Sequence, residues 1–327
     1  MGRRVRIAFD SRAKGDPRGI GRYVRCILEA LRETAEPGSV ITETQRPRRS
    51  DVFHSPWLDG AHLRCPCPSV ITLHDLVNLK GRGEYLRTGV RFKLRYLAVQ
   101  RADRVIVPTQ VVANDAQQHL DIDSERITVI PEAADASMYP RGAEEIAAVR
   151  ARYALPAEYL LWVGGMLHPE RRKRVADLAQ APRRMPLVLV GPARPWAHEL
   201  PDVTLTGQVS DDELAALYSG AHALVFPSDD EGFGLPSVEA LACGTPVVAC
   251  EAPALREVLG DRATFVEVGD MEGLLEAGAR ALRPAPPPPA WSWADAARAT
   301  WRVYAAAIAQ SHPVSTRRVP RLPRGAF

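Results

Sequence analysis

Short apolar, β-branched runs alternate along the chain with stretches whose apolar residues recur every three or four positions. Residues 5–9 lead into a stretch in which Ile20, Val24, Ile27, Leu28 and Leu31 share one face at 3.6 residues per turn, so a strand followed by an amphipathic helix is predicted. Further runs at 51–54, 70–73, 104–107 and 127–130 lack the polar alternation of half-solvated strands. That predicts a parallel sheet covered on both faces, with helices over 89–102 and 111–120 between the strands. The pattern then restarts, with strands expected at 159–163, 187–190, 203–205, 223–226, 246–249 and 264–266. Ser210-Asp211-Asp212-Glu213 reads as a capping box opening one of the intervening helices.

The fold class expected is therefore α/β: two Rossmann-like doubly wound domains, residues 1–150 and 151–290, with the boundary falling between 135 and 157. Two lobes imply a cleft. After Leu282, the run Arg283-Pro284-Ala285-Pro286-Pro287-Pro288-Pro289 cannot be helical, because proline lacks the amide donor and clashes with the preceding turn. Helical spacing resumes over 291–310 with Trp293, Ala297, Trp301, Tyr304 and Ile308, and the proline- and arginine-bearing segment 311–327 is expected to be a disordered tail.

Composition narrows the class of function. The 327 residues are 46% hydrophobic and 25% charged, which argues against wholesale disorder, a collagen-like chain or a repeat array. A net charge of +3, with 42 basic residues against 39 acidic ones, is too small for a nucleic-acid footprint. No apolar window approaches the ~18 residues of a membrane span and no secretory signal core is present, so a cytoplasmic protein is expected. Cys26, Cys65, Cys67, Cys243 and Cys250 lack a second ligand pair with zinc spacing and are read as reduced thiols. Among the basic residues only Lys14, Lys80, Lys93 and Lys173 are lysines, which makes Lys173, alone in the second half, a candidate for chemistry.

The most informative stretch is Phe226-Pro227-Ser228-Asp229-Asp230-Glu231-Gly232-Phe233-Gly234-Leu235-Pro236-Ser237-Val238-Glu239, continuing to Gly244 and a further strand. It reads as strand, glycine loop, helix. Gly232 and Gly234 permit close backbone approach, Pro236 suits a first helical turn, and the helix amino end presents a positive dipole where a phosphate or diphosphate would bind. Glu231 and Glu239 would flank that anion and accept from sugar or ribose hydroxyls. A solvated acidic loop with an ordinary surface glutamate is the plainer alternative, and the glycines in their strand-helix setting weigh against it. Asp229-Asp230 has no further oxygen-ligand cluster beside it, so no metal site is predicted.

This segment resembles the Glu-x7-Glu signature of the retaining glycosyltransferases of family 4 (glycosyltransferase group 1), which adopt the GT-B fold. The resemblance implies that Glu231 contacts the donor sugar near its C3 hydroxyl, that Glu239 holds the ribose, and that backbone amides of Gly232, Phe233, Gly234 and Leu235 bind sugar and diphosphate. Leu161-Trp162-Val163-Gly164-Gly165, followed by Arg171-Arg172-Lys173-Arg174, is similar to the family's strand, glycine turn at Gly165 and Arg-Lys pair. Arg172 and Lys173 would neutralise the leaving diphosphate, with Arg171 the alternative should the register slip by one. In the first half, Arg18-Gly19-Ile20-Gly21-Arg22-Tyr23 and Thr72-Leu73-His74-Asp75-Leu76 look like family counterparts. Gly19 and Gly21 would let backbone approach phosphate or acceptor, a bare tight turn being the alternative; His74 would lie beside the donor sugar, near its C6 hydroxyl. His54, His119 and His222 are read as structural. Pro131-Glu132-Ala133-Ala134-Asp135 departs from the family's Pro-Asn-Gly-Val-Asp, and the helix over 291–308 is implied to cross back onto the first domain.

The function implied is transfer of a hexose, mannose or glucose type, from a nucleotide diphosphate sugar to a hydroxyl acceptor with the anomeric configuration retained, the acceptor attacking on the face the diphosphate leaves. A cation clamp with a helix amino end makes a divalent metal dispensable, so no cofactor or metal is expected beyond the nucleotide sugar itself. The acceptor implied is a glycan, a glycolipid or a small molecule, and the arginine-bearing tail allows peripheral contact with an anionic membrane should it be lipid-linked. Two alternatives are a Rossmann oxidoreductase or epimerase, against which the first strand's exit into Asp10-Ser11 speaks, and a non-catalytic nucleotide-sugar-binding or scaffold protein of the same fold.

Overall fold

The computed structural model describes residues 4–76, 79 and 90–310, and these divide into two compact units. The first takes in the chain up to Asp16, then Ile20 to Glu132, and resumes at Trp291; the second takes in Pro17–Gly19 and Ala133–Ala290.

The first unit runs β1 (Arg6–Phe9), α1 (Gly19–Glu33), β2 (Val40–Glu43), β3 (Val52–Ser55), β4 (Ser69–Thr72), α2 (Val90–Arg101), β5 (Arg104–Val107), α3 (Gln110–Leu120) and β6 (Ile127–Val129). Its sheet has the order β2-β1-β3-β4-β5-β6 with every pairing parallel. Alternate residues of a strand point to opposite faces, and the two faces bury different partners. Ile7, Phe9, Val52, Val70 and Ile106 pack with Val24, Ile27, Leu28 and Leu31 of α1. Ile71, Val105 and Val107 pack with Tyr96 and Val99 of α2 and with Val112, Ala116 and Leu120 of α3. Cover on both faces is the reason these strands read as unbroken apolar runs. The exception is β2, an edge strand with the sequence Val-Ile-Thr-Glu, largely exposed, which carries no such run and was not foreseen.

The second unit runs α4 (Ala143–Arg152), β7 (Leu160–Val163), α5 (Val175–Gln180), β8 (Leu187–Val190), β9 (Val203–Gly207), α6 (Asp211–Gly220), β10 (Ala223–Phe226), α7 (Leu235–Ala242), β11 (Val247–Cys250), α8 (Pro253–Leu259), β12 (Ala263–Val266) and α9 (Met271–Ala279). Its sheet, again parallel throughout, has the order β12-β11-β10-β7-β8-β9. The capping box at α6 is formed as the sequence requires: the Ser210 amide donates to Glu213 Oε2 at 2.9 Å and the Glu213 amide to Ser210 Oγ at 3.2 Å.

The two compact units divide after Glu132. Helix α4 belongs with the second unit because it packs along α6, with Tyr153 donating to Glu213 at 3.1 Å and Arg150 to the Gly220 carbonyl at 3.1 Å. Helix α10 (Trp293–Gln310) returns to the first unit, burying Ala297, Val303, Tyr304 and Ala307 in the core beside α1, and Trp301 Nε1 donates to the Leu31 carbonyl at 3.2 Å. The expected tail at 311–327 and the start of the helix expected from residue 89 lie outside the described residues. All five cysteines are free thiols, and among the described residues no helix is long and apolar enough to cross a membrane.

Candidate functional site

Open parallel sheets bind ligands beyond the carboxyl ends of their strands, where the strand order reverses. In the second unit that reversal falls between the paired strands β7 and β10, since β7 continues to β8 on one side and β10 to β11 on the other. The segments leaving those two strands carry Gly164-Gly165 and Pro227 to Glu231. They are tied together where the Asp229 amide donates to the Arg172 carbonyl at 3.0 Å.

Arg171, Arg172 and Lys173 form a short 3₁₀ turn ahead of α5. Arg172 Nη1 donates to Glu231 Oε2 at 2.9 Å and to the Asp230 carbonyl at 3.1 Å, while its Nε lies 3.2 Å from Glu170 Oε2. Lys173 Nζ lies 3.3 Å from Glu170 Oε1 and 3.4 Å from the Gly165 carbonyl. Arg172 and Lys173 are therefore two half-buried cations bridged by one carboxylate, whereas Arg171 is exposed. Arg174 pairs with Asp229 and with Asp177, each at 3.2 Å. A cavity of about 310 Å³ opens beside this network, lined by Gly165, Glu170, Lys173, Arg174, Trp196 and Asp229 among others.

Past Glu231 the loop turns sharply into α7. Gly234 caps the helix with φ +87°, and a Cβ there would run into Leu255, so glycine is required on two counts. Phe233 and Leu235 bury their side chains, leaving main chain to any ligand at this turn. Ser237 Oγ donates to the Gly234 carbonyl at 2.6 Å, fixing the first helical turn. Glu239 sits within α7 at 2% exposure, and its Oε2 accepts from the Tyr218 hydroxyl at 3.2 Å. Glu231 and Glu239 thus differ in setting: one is half-buried against a guanidinium, the other buried against a phenol.

In the first unit, His74 follows β4 at the carboxyl edge of its sheet. Its Nδ1 lies 3.0 Å from Glu132 Oε1 and its Nε2 2.9 Å from the Pro56 carbonyl. Burial works against the charged ring, yet the Glu132 hydrogen bond and charge, the Pro56 carbonyl and Asp75 outweigh it, holding His74 above the ordinary histidine value. Gly19 opens α1, and a Cβ at Gly21 would collide with the Asp16 carbonyl, so close packing of the turn already accounts for that glycine. His54 is structural as expected: it lies buried between the Tyr304 hydroxyl, 2.6 Å from Nδ1, and Thr72 Oγ1, 2.9 Å from Nε2. Glu170, Tyr218 and Glu132 were not foreseen as partners of the candidate residues. Only at Glu132, an acid in place of the family's asparagine, did the sequence carry a signal.

A family profile described as Glycosyltransferase Family 4 matches residues 4–137, and one described as Glycosyl transferases group 1 matches residues 157–283. The chain belongs to the group 1, family 4 glycosyltransferases. As a member of this glycosyltransferase family it is 29% identical over 242 residues to the serotype-specific mannosyltransferase WbdA of Escherichia coli, a match covering 66% of this chain and 29% of WbdA. The match thus spans under a third of that relative. Sucrose-phosphate synthase from Thermosynechococcus elongatus superposes with a TM-score of 0.69 at 22% identity, covering 94% of this chain and 100% of that one. HepE from Anabaena, solved in complex with UDP-glucose, does so at 0.66 and 18% identity, covering 94% and 99%. The fold of this chain is accordingly GT-B, built on two six-stranded parallel sheets.

Proposed function

We propose that the chain transfers a hexose, mannose or glucose type, from a nucleotide diphosphate sugar to a hydroxyl acceptor on a glycan, a lipid-linked saccharide or a small molecule, with retention at the anomeric carbon. The observation that carries this reading is the cluster of Arg172, Lys173 and Glu231 at the β7/β10 reversal, ahead of the α7 amino end. WbdA is named as a mannosyltransferase and HepE holds UDP-glucose, which supports both the reaction class and the donor class.

Departure of the diphosphate develops negative charge. Arg172 and Lys173 are positioned to receive it, and an incoming diphosphate displaces the Glu170 and Glu231 carboxylates that otherwise neutralise them. Glu231, released from Arg172, accepts from a sugar hydroxyl; Glu239, on a rigid helix and oriented by Tyr218, accepts from the ribose. His74 is assigned to the donor's C6 hydroxyl by resemblance. With two fixed cations and a helix dipole at the leaving group, the reaction needs no divalent metal, and the acceptor attacks on the face the diphosphate vacates.

A thermal-shift panel of GDP, UDP, ADP and dTDP sugars identifies the donor, since the ligand that binds the folded chain raises its melting temperature. With that donor, Glu231→Ala and Lys173→Ala are expected to lower turnover about 100-fold or more, the scale for losing a group that stabilises transition-state charge. Glu276→Ala, at an exposed residue paired with Arg280, serves as control. Turnover of the two site variants at the control's rate, or loss of wild-type activity in EDTA, would overturn the corresponding part of the proposal.

A further inference from the structure

One buried acid of the first unit has no part in the reading above. Glu132 is 4% exposed, follows β6, and is the last residue before the chain passes to the second unit. Its carboxylate meets His74 Nδ1, while the Pro56 carbonyl meets Nε2. A carbonyl oxygen can only accept, so Nε2 carries a hydrogen. Facing an ionised carboxylate, Nδ1 carries one as well.

We propose that Glu132 is a positioning residue for His74, clamping the ring between two acceptors as an imidazolium, so that the donor sugar meets a fixed cation and not a nitrogen lone pair. The functional half of this rests on the reading that His74 serves the donor. The clamp itself rests on geometry within the first unit.

The surroundings favour the cation. Tyr23 of α1 meets the His74 ring edge to face, centroids 4.5 Å apart at 81°, and its own hydroxyl lies 3.1 Å from Thr72 Oγ1. Burial holds the Tyr23 phenol protonated and hence uncharged. His54 of β3 is neutral, pushed down to about 3 by burial first and by the His74 charge second. Asp75 adds a negative charge from the next position in the chain. Among the described residues, then, the charged groups named beside His74 are the acids Glu132 and Asp75, and Tyr23 and His54 are neutral.

Two substitutions separate Glu132 from a merely structural acid. Glu132→Gln keeps the shape and can donate its amide to Nδ1, which leaves the ring in place but neutral, with its hydrogen on Nε2. Glu132→Asp keeps the charge at a shorter reach. The His74 ring signal, assigned by its disappearance in His74→Gln, is followed by NMR against pH alongside the pH profile of kcat/KM on the same proteins.

Glu132→Gln is expected to lower the His74 midpoint by about one to three pH units, the range for removing a contacting opposite charge. The basic limb of kcat/KM should move down with it, so that on the alkaline side of both midpoints transfer falls about tenfold for each pH unit of the shift. Glu132→Asp should recover most of both shifts; should the glutamine variant fail to fold, a wild-type His74 midpoint no higher than that of a free histidine overturns the clamp. An unchanged His74 midpoint in Glu132→Gln would overturn the clamp. A moved midpoint with an unmoved basic limb would overturn its use in transfer. Should the wild type transfer sugar from no donor, the transferase reading falls while the titration still decides the clamp.

Discussion

At the scale of single residues, the site is built on carboxylates whose partners fix what each can do. Glu239 is nearly fully buried and takes a hydrogen bond from Tyr218 at 3.2 Å, so Tyr218→Phe leaves a buried carboxylate short of a donor. A hydrogen bond to a charged group contributes about 1.5–3 kcal/mol, so urea unfolding of Tyr218→Phe should show a loss of that size. Donor KM should rise as Glu239 loses its orientation; a neutral substitution would remove Tyr218 from the account. The sequence already pointed to Glu231, Glu239, Lys173 and His74, because each stands in a local motif whose residue types carry their own chemistry. It left Arg171 to Arg174 ambiguous by one residue, since four neighbouring cations look alike until a turn gives them directions. Glu170 bridging two of them and Tyr218 reaching Glu239 were not legible, and Glu132 reaching His74 showed only as a departure from the family's asparagine. The last two join positions 21 and 58 residues apart, and only the folded sheets bring them together.

The elements obey the same division between local and distant causes. Strands covered on both faces were readable as apolar runs, and the helices between them as 3.6-residue stripes, because burial writes itself directly into side-chain type. Strand β2 was not readable, for an edge strand exposed on most of its length needs no apolar run to pair with β1. The allegiance of α4 is hidden for a related reason: it has few fully buried residues, and its packing on α6 is announced by no periodicity. Where local geometry is forced, however, the sequence is strict. Gly234 combines a left-handed backbone with a Cβ position already filled by Leu255, at the turn that aims α7. Gly234→Ala should destabilise the protein by more than the ~1 kcal/mol typical of a left-handed alanine alone, since Leu255 must also move. It should weaken binding of a nucleoside diphosphate in calorimetry even under conditions where the variant is fully folded. Wild-type affinity would show that the α7 turn does not shape the anion site.

At the scale of the whole chain, the first unit is assembled from two distant stretches, and α10 closes its core only after the second unit has been traversed. The seam between those stretches is largely apolar but holds one buried polar contact: Tyr304 of α10 lies 2.6 Å from His54 on β3, whose charge state responds to His74 and Asp10. The protonation states of these groups make stability depend on pH in both directions. His54 is buried and held down to about 3, so between that value and the ordinary histidine range the unfolded chain binds a proton the folded one does not, and stability falls as pH drops below about 6.5. Asp10, kept low despite burial by hydrogen bonds from Arg12 and Trp57, loses its contribution at still lower pH, in the same direction. His74 acts oppositely: held above the ordinary value, it contributes fully below about pH 6.5 and loses that contribution as pH rises through its folded midpoint. Each group acting alone gives a slope of about 1.4 kcal/mol per pH unit within its window. Urea unfolding followed through the first unit's amides should therefore pass through a maximum near neutrality, with Glu132→Gln flattening the alkaline side and sparing the acid side. A flat profile from pH 5 to 8 would mean that neither histidine holds the protonation state its neighbours require.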